Sequence, residues 1–169
     1  MQPDKSPATH PLEIFFRHNL WANLLLFDAC SKLDEAQLAY SAAGVFGSIK
    51  ETLGHIMYAE ERYIFHITAG AQMAGTERLA AASPLGEIRA RLAASGEILL
   101  QLATSLDGGK RLMVGSGDDA ELMPVEALLL QAIHHSTEHR TQIESMFGQL
   151  GIDPPGLSGW RYFDEQMKG

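Results

Sequence analysis

The stretch PVEALLLQAIHHSTEHRTQIESMFGQLG, residues 124–151, decides how the rest of the chain is read. Its apolar residues recur every three to four positions, the period of an amphipathic helix. Pro124 suits a helix start. Gly151, followed by Asp153-Pro154-Pro155, forms a stop. At 1.5 Å per residue such a helix is about 40 Å long. Leu128, Ala132, Met146 and Leu150 project within about 60° of His135. His139, one turn further on, lies in the same apolar stripe. Two imidazoles four residues apart on one face can reach a single metal ion, because their Cβ atoms sit roughly 5–6 Å from each other. Buried imidazoles need polar partners, and a metal would supply them. Gln131 and Gln142 run along the same stripe and are candidates to orient the ring N–H groups. His134 points about 100° away, toward solvent or an interhelical edge. The competing reading is a pair of core histidines hydrogen-bonded to neighbouring helices. A catalytic metal site also needs a third ligand and an open position. His18, His55 and His66 are candidates for that third ligand, and spacing alone does not choose among them.

Working outward, three more helices are expected. The first covers about residues 11–33, with Pro11 at its start and apolar residues at Leu12, Phe15, Phe16, Leu20, Leu24 and Phe27. The second starts at Ser48, where Ser48 and Glu51 form a capping-box pattern, and runs to Thr68, ending near Gly70. The third starts at Ser83-Pro84 and stops before Asp107-Gly108-Gly109, with Gly96 weakening its interior. Residues 110–123 read as a small hairpin or a long loop. In the tail, Trp160, Tyr162 and Phe163 are expected to pack onto the body. No linker or repeat interrupts this pattern. The expected fold is therefore all-α: one domain over residues 1–169, a four-helix bundle with a short irregular or hairpin insert before the last helix.

Composition narrows the function. The chain has 169 residues and a formal net charge of -8, with its 13 Lys and Arg scattered. A diffuse negative field disfavours nucleic acid and anionic membranes as partners. The single cysteine, Cys30, permits no intrachain disulfide and reads as a small buried hydrophobe. The N-terminal stretch lacks a signal-peptide pattern, and no apolar run approaches membrane-spanning length, so a cytoplasmic location is expected.

Other chemistries fit less well. HSTEH, residues 135–139, matches the inverted zinc-peptidase pattern H-x-x-E-H, in which Glu138 would be a general base, but that enzyme class needs a strand-rich partner region. No Glu stands three residues before a histidine, as di-iron bundles require. Ser136 points about 100° off the histidine face and no nucleophile elbow exists. Glu60 falls in the apolar stripe of the second helix, where a carboxylate needs a partner. Pairing with an arginine is the expected role; support of a metal ligand and proton transfer are the alternatives. No catalytic residue is assigned.

Four stretches then resemble a known family in order and over nearly the full length: RHNLWANLLLFDA from Arg17, GSIKETLGHIMYAEERY from Gly47, HHSTEHRTQI from His134 and GIDPPGLSGWRYF from Gly151. Together they resemble the DinB-like (damage-inducible) family of four-helix metalloproteins. The resemblance implies a metal triad of His55 with His135 and His139, preferring His55 over His18 and His66. It also implies a bundle that is a mirror variant of simple up-and-down connectivity, a divalent ion such as zinc or nickel, and frequent homodimers. Characterised members suggest transfer or isomerisation reactions of a low-molecular-weight thiol, in detoxification or stress response. A non-catalytic metal- or ligand-binding module is the alternative. Thr141 stands where the family often has glycine, next to the ligands without touching them.

Overall fold

The computed structural model describes residues 10–72, 84–106, 108–115, 117 and 120–168. Its long helices are α1 (Pro11–Cys30), α3 (Ile49–Ile67), α4 (Leu85–Ser105) and α5 (Val125–Gln149), with short helices α2 (Glu35–Leu38) and α6 (Gly159–Lys168) and one hairpin, β1 (Arg111–Val114) with β2 (Glu121–Pro124). The fold is an all-α bundle, as expected.

Local chemistry explains most boundaries. The expected box at Ser48 and Glu51 is formed, each side chain taking a backbone N–H at the start of α3. A second box, Asp34 with Gln37, starts α2. That box ends the first helical run early: α1 stops at Cys30 rather than near residue 33. Pro84 and Pro124 sit one position before their helices, not inside them. The expected cap Ser83 lies outside the described residues. Gly151 ends α5 with φ +72, where Ile152 N–H reaches Phe147 O at 2.9 Å.

α1 packs on α4 and α5, and α3 packs on the same two helices. Going round the bundle the order is therefore α1, α4, α3, α5. A mirror of simple up-and-down would keep consecutive long helices adjacent. Here α1 to α3 and α4 to α5 cross the diagonal, so the connectivity departs from up-and-down in neighbour order.

The hairpin is antiparallel, with Leu112 opposite Met123 and Met113 opposite Leu122. Leu112 and Val114 turn inward onto the core. Tyr162 of α6 is buried against His18 and Trp21 of α1, and the His18 Nε2–H donates to Leu157 O at 2.9 Å. The other tail aromatics do not pack as expected: Trp160 is 88% exposed and Phe163 47%. Phe15 is likewise on the outer side of α1.

The interior has two apolar clusters. One holds Leu26, Phe27, Cys30, Leu53, Met57, Leu92, Ile143 and Phe147; the other holds Phe16, Ile64, Ile67, Leu99, Leu128 and Ala132. Between them every long helix contributes buried polar residues: Asn19 and Asn23, Glu60, Ser95, then Ser136 and Arg140. A polar layer thus crosses the centre of the bundle.

Candidate metal centre

α3 and α5 lie side by side, so the second turn of α3 faces the middle of α5. His55 comes from the first and His135 and His139 from the second. One ring nitrogen from each of the three lies within 4.8 Å of the others. His135 Nε2 is 3.0 Å from His55 Nε2. The ring centroids are 4.4–4.7 Å apart. His18 is engaged by the tail, and His66 lies in the last turn of α3 beside Phe65. The structure thus brings together the three expected ligands and leaves the other two candidates elsewhere.

Hydrogen bonds determine the state of one ring. Gln142 Oε1 accepts the Phe46 backbone N–H at 3.1 Å, so that oxygen is an acceptor. His139 Nδ1 lies 3.1 Å from the same oxygen and must therefore donate. The neutral ring then carries its proton on Nδ1 and a lone pair on Nε2. Gln142 thus orients a ring N–H, as expected. Gln131 does not: it lies against the Tyr63 hydroxyl. Phe46, from the loop before α3, stacks on His55 with 3.9 Å between centroids. Tyr63 stands edge-on to His135 at 6.2 Å.

Burial, reinforced by the neighbouring imidazoles of His139, His55 and His134, pushes the His135 ring down to about 4. It is neutral at pH 7, the form a metal requires. His135 Nδ1 is buried and has no partner among the described residues. The polar anchor of that ring is on its Nε2 side, toward His55. Three imidazoles with nitrogens converging suit a borderline cation. At Zn–N distances of 2.0–2.1 Å, tetrahedral ligands stand about 3.3 Å apart, close to the His55–His135 spacing. The residues present fit a divalent metal.

The carboxylates have other partners. Glu138 is exposed on α5 and faces His134 at 3.4 Å, both on the solvent side. This removes the inverted-peptidase reading, since the glutamate does not overhang the triad. Glu60 is fully buried, but it does not pair with an arginine directly. Its Oε1 accepts from Asn19 Nδ2 at 2.9 Å and Asn23 Nδ2 at 2.8 Å, and its Oε2 from Ser95 Oγ at 2.6 Å. Arg140 donates to the Oδ1 atoms of the same two asparagines, at 2.7 and 2.6 Å. Two amides thus stand between the charges. Burial raises the Glu60 carboxyl, opposed by its donors and by Arg140. Burial lowers Arg140 to about 10.

Sequence reasoning missed Phe46 and the asparagine pair. Phe46 carries no signal, because it acts from a loop. Asn19 and Asn23 were legible: they stand at i, i+4 on the apolar face of α1, as the two histidines do on α5.

No helix among the described residues is long and apolar enough to cross a membrane. A search of curated proteins found no match. The DinB family model, in contrast, aligns with nearly the whole chain, residues 7–168, in agreement with the bundle and its histidine site, and the chain belongs to the DinB family.

Proposed function

We propose that this protein is a metal-dependent thiol S-transferase, or a related detoxification or stress-response enzyme, with zinc or nickel at His55, His135 and His139. The observation that carries the reading is the convergence of three imidazole nitrogens from two helices on one point, within 4.8 Å. A bound divalent cation there would supply Lewis acidity that lowers the pKa of a small thiol. The chain's own residues set the conditions. Imidazole ligands add no negative charge, so the positive field at the site is undiminished. Gln142 holds the His139 tautomer. Phe46 and Tyr63 give the site an aromatic edge. His55 and His135 are only half-buried, which leaves a side for a small molecule. The substrate class is a low-molecular-weight thiol with an electrophilic acceptor, and the assembly a homodimer.

A second reading has one observation in its favour. Neither Glu60 nor Glu138 is placed to act as a base at the triad, which suits a binding module without turnover. The same experiment separates the two. Untagged protein is analysed for bound metal beside His55→Ala, then assayed with a panel of thiols and an electrophile, with and without chelator. About one ion per chain, lost in the variant, with chelator-sensitive conjugation, supports the enzyme. Metal without conjugation supports the binding module. No metal, even after adding zinc or nickel, refutes both.

A further inference from the structure

The polar layer across the bundle draws on all four long helices, including both of those that carry the triad. On α5, Ser136 follows His135 and Arg140 follows His139. At 100° per residue, both lie one step round the helix from the ligand face. Ser136 and Arg140 are buried at the bundle centre. On α3, Glu60 stands five residues after His55, about 140° round the helix. Each ligand helix therefore presents one face to the metal site and another to the layer.

We infer that the network of Glu60, Asn19, Asn23, Ser95, Ser136 and Arg140 is the positioning device of the metal site, fixing the rotation and register of α3 and α5 so that the three imidazoles meet. This rests on the reading of the triad as a metal centre.

The bonds are specific in direction. Glu60 Oε1 takes both asparagine Nδ2 groups and, at 3.4 Å, the Ser136 hydroxyl. Arg140 Nη1 takes both asparagine Oδ1 atoms, while its Nη2 donates to Thr137 Oγ1 at 2.8 Å. Flipping either amide would set an N–H against the guanidinium, so the arrangement has one orientation. The apolar clusters on either side supply no such direction, because hydrophobic burial is non-directional. A buried polar network has one register, and holding register is the best-attested use of such groups.

The tolerance explains why a lock is needed. An imidazole nitrogen about 6 Å from the helix axis moves roughly 1 Å when the helix turns by 10°. Metal–ligand distances tolerate about 0.2 Å. His135 and His139 turn together on α5, so a rotation displaces both ligands at once.

The test is titration of the full chain with Ni²⁺ and Co²⁺, following heat and the visible Co²⁺ bands, with circular dichroism to show that each variant is folded. Glu60→Ala removes the acceptor. It is expected to lower affinity by about tenfold or more, as loss of ligand-orienting hydrogen bonds does, and to change the Co²⁺ spectrum. Glu60→Gln keeps an acceptor for both asparagines. Its new NH₂ can donate to Ser95 Oγ, which has Leu92 O as its own acceptor at 3.2 Å. Affinity should return near the wild-type value although the melting temperature stays low, since Arg140 has lost its counter-charge. Leu38→Ala, which opens the apolar core at the short helix α2 outside the network, should lower the melting temperature and leave affinity alone. Should Glu60→Ala not fold, Asn23→Ala carries the same comparison. Wild-type protein that binds neither ion refutes the metal reading itself. Wild-type binding with unchanged affinity and spectrum in Glu60→Ala, or in Asn23→Ala, overturns the positioning role alone.

Discussion

Gly96 is a test of how closely the bundle is drawn together. It lies in the middle of α4, where glycine costs a helix about 1 kcal/mol relative to alanine. A Cβ built at this position would lie 2.5 Å from Leu20 Cδ1, 3.1 Å from its Cβ and 3.2 Å from its Cγ, so α1 sits directly over the glycine. Turning the Leu20 side chain can relieve the first contact. It cannot move the Cβ, so Gly96→Ala must also push the α1 backbone outward by a few tenths of an ångström. Overpacking of this kind costs about 1–3 kcal/mol, offset by the roughly 1 kcal/mol gained in helix propensity. The net is a loss of about 0–2 kcal/mol, or up to about 8 °C in melting temperature for a chain of this size. The flanking residues add a functional consequence. Asn19 precedes Leu20 and Ser95 precedes Gly96, and both bond Glu60. In a Leu20→Ala background the obstruction is gone, and Gly96→Ala should become stabilising by up to about 1 kcal/mol. The measurement is thermal and urea unfolding of the four proteins, followed by circular dichroism with metal chelated so that binding does not shift the equilibrium. The same sign of effect in both backgrounds would refute close α1–α4 contact at Gly96.

Two further outcomes are expected. Cys30 is fully buried, and burial pushes its thiol up to about 12. At pH 8 only about one molecule in ten thousand would carry the thiolate, so the native protein should resist a thiol reagent that labels it fully in denaturant; native labelling at the rate of a free thiol would contradict this. His18 lies under the tail, and burial lowers its pKa, helped by Arg140 and opposed by its bond to Leu157. Between that lowered value and the unfolded value of 6.5 the unfolded chain binds more protons. Stability should therefore fall as pH drops below about 6.5, and His18→Gln should flatten that slope in urea melts at successive pH values.

The helices were legible because their signals are local. The Ser48–Glu51 box and Gly151 act within one turn and need no knowledge of the fold. The Asp34–Gln37 box was equally local, and reading it would have ended α1 at the right place. The neighbour order round the bundle was not legible, because all four long helices have an apolar stripe and any pairing buries it. The third histidine of the triad shows the same limit. His18, His55 and His66 look alike in sequence. What separates them is that α3 lies against α5 and brings its second turn, not its last, to the level of His135. Phe46 is placed by a backbone bond to Gln142, 96 residues away in sequence, which no local pattern encodes.

The centre of α5 shows how one segment meets several demands. Residues 134–142, HHSTEHRTQ, are polar all the way round, although they sit midway along the longest helix. A surface helix buries one apolar stripe, and one with no apolar side has little to hold it in place. Here each side has a partner of its own. His135, His139 and Gln142 face α3 and the histidine triad. Ser136 and Arg140 face the bundle centre and the asparagines of α1. His134 and Glu138 face solvent and each other. Apolar packing resumes at Ala132 on one side and Ile143 on the other, in the two separate clusters. The polar run is therefore the cross-section of the helix at the level of the site. Removing the inner polar face should loosen the outer one while the apolar ends of the helix stay packed.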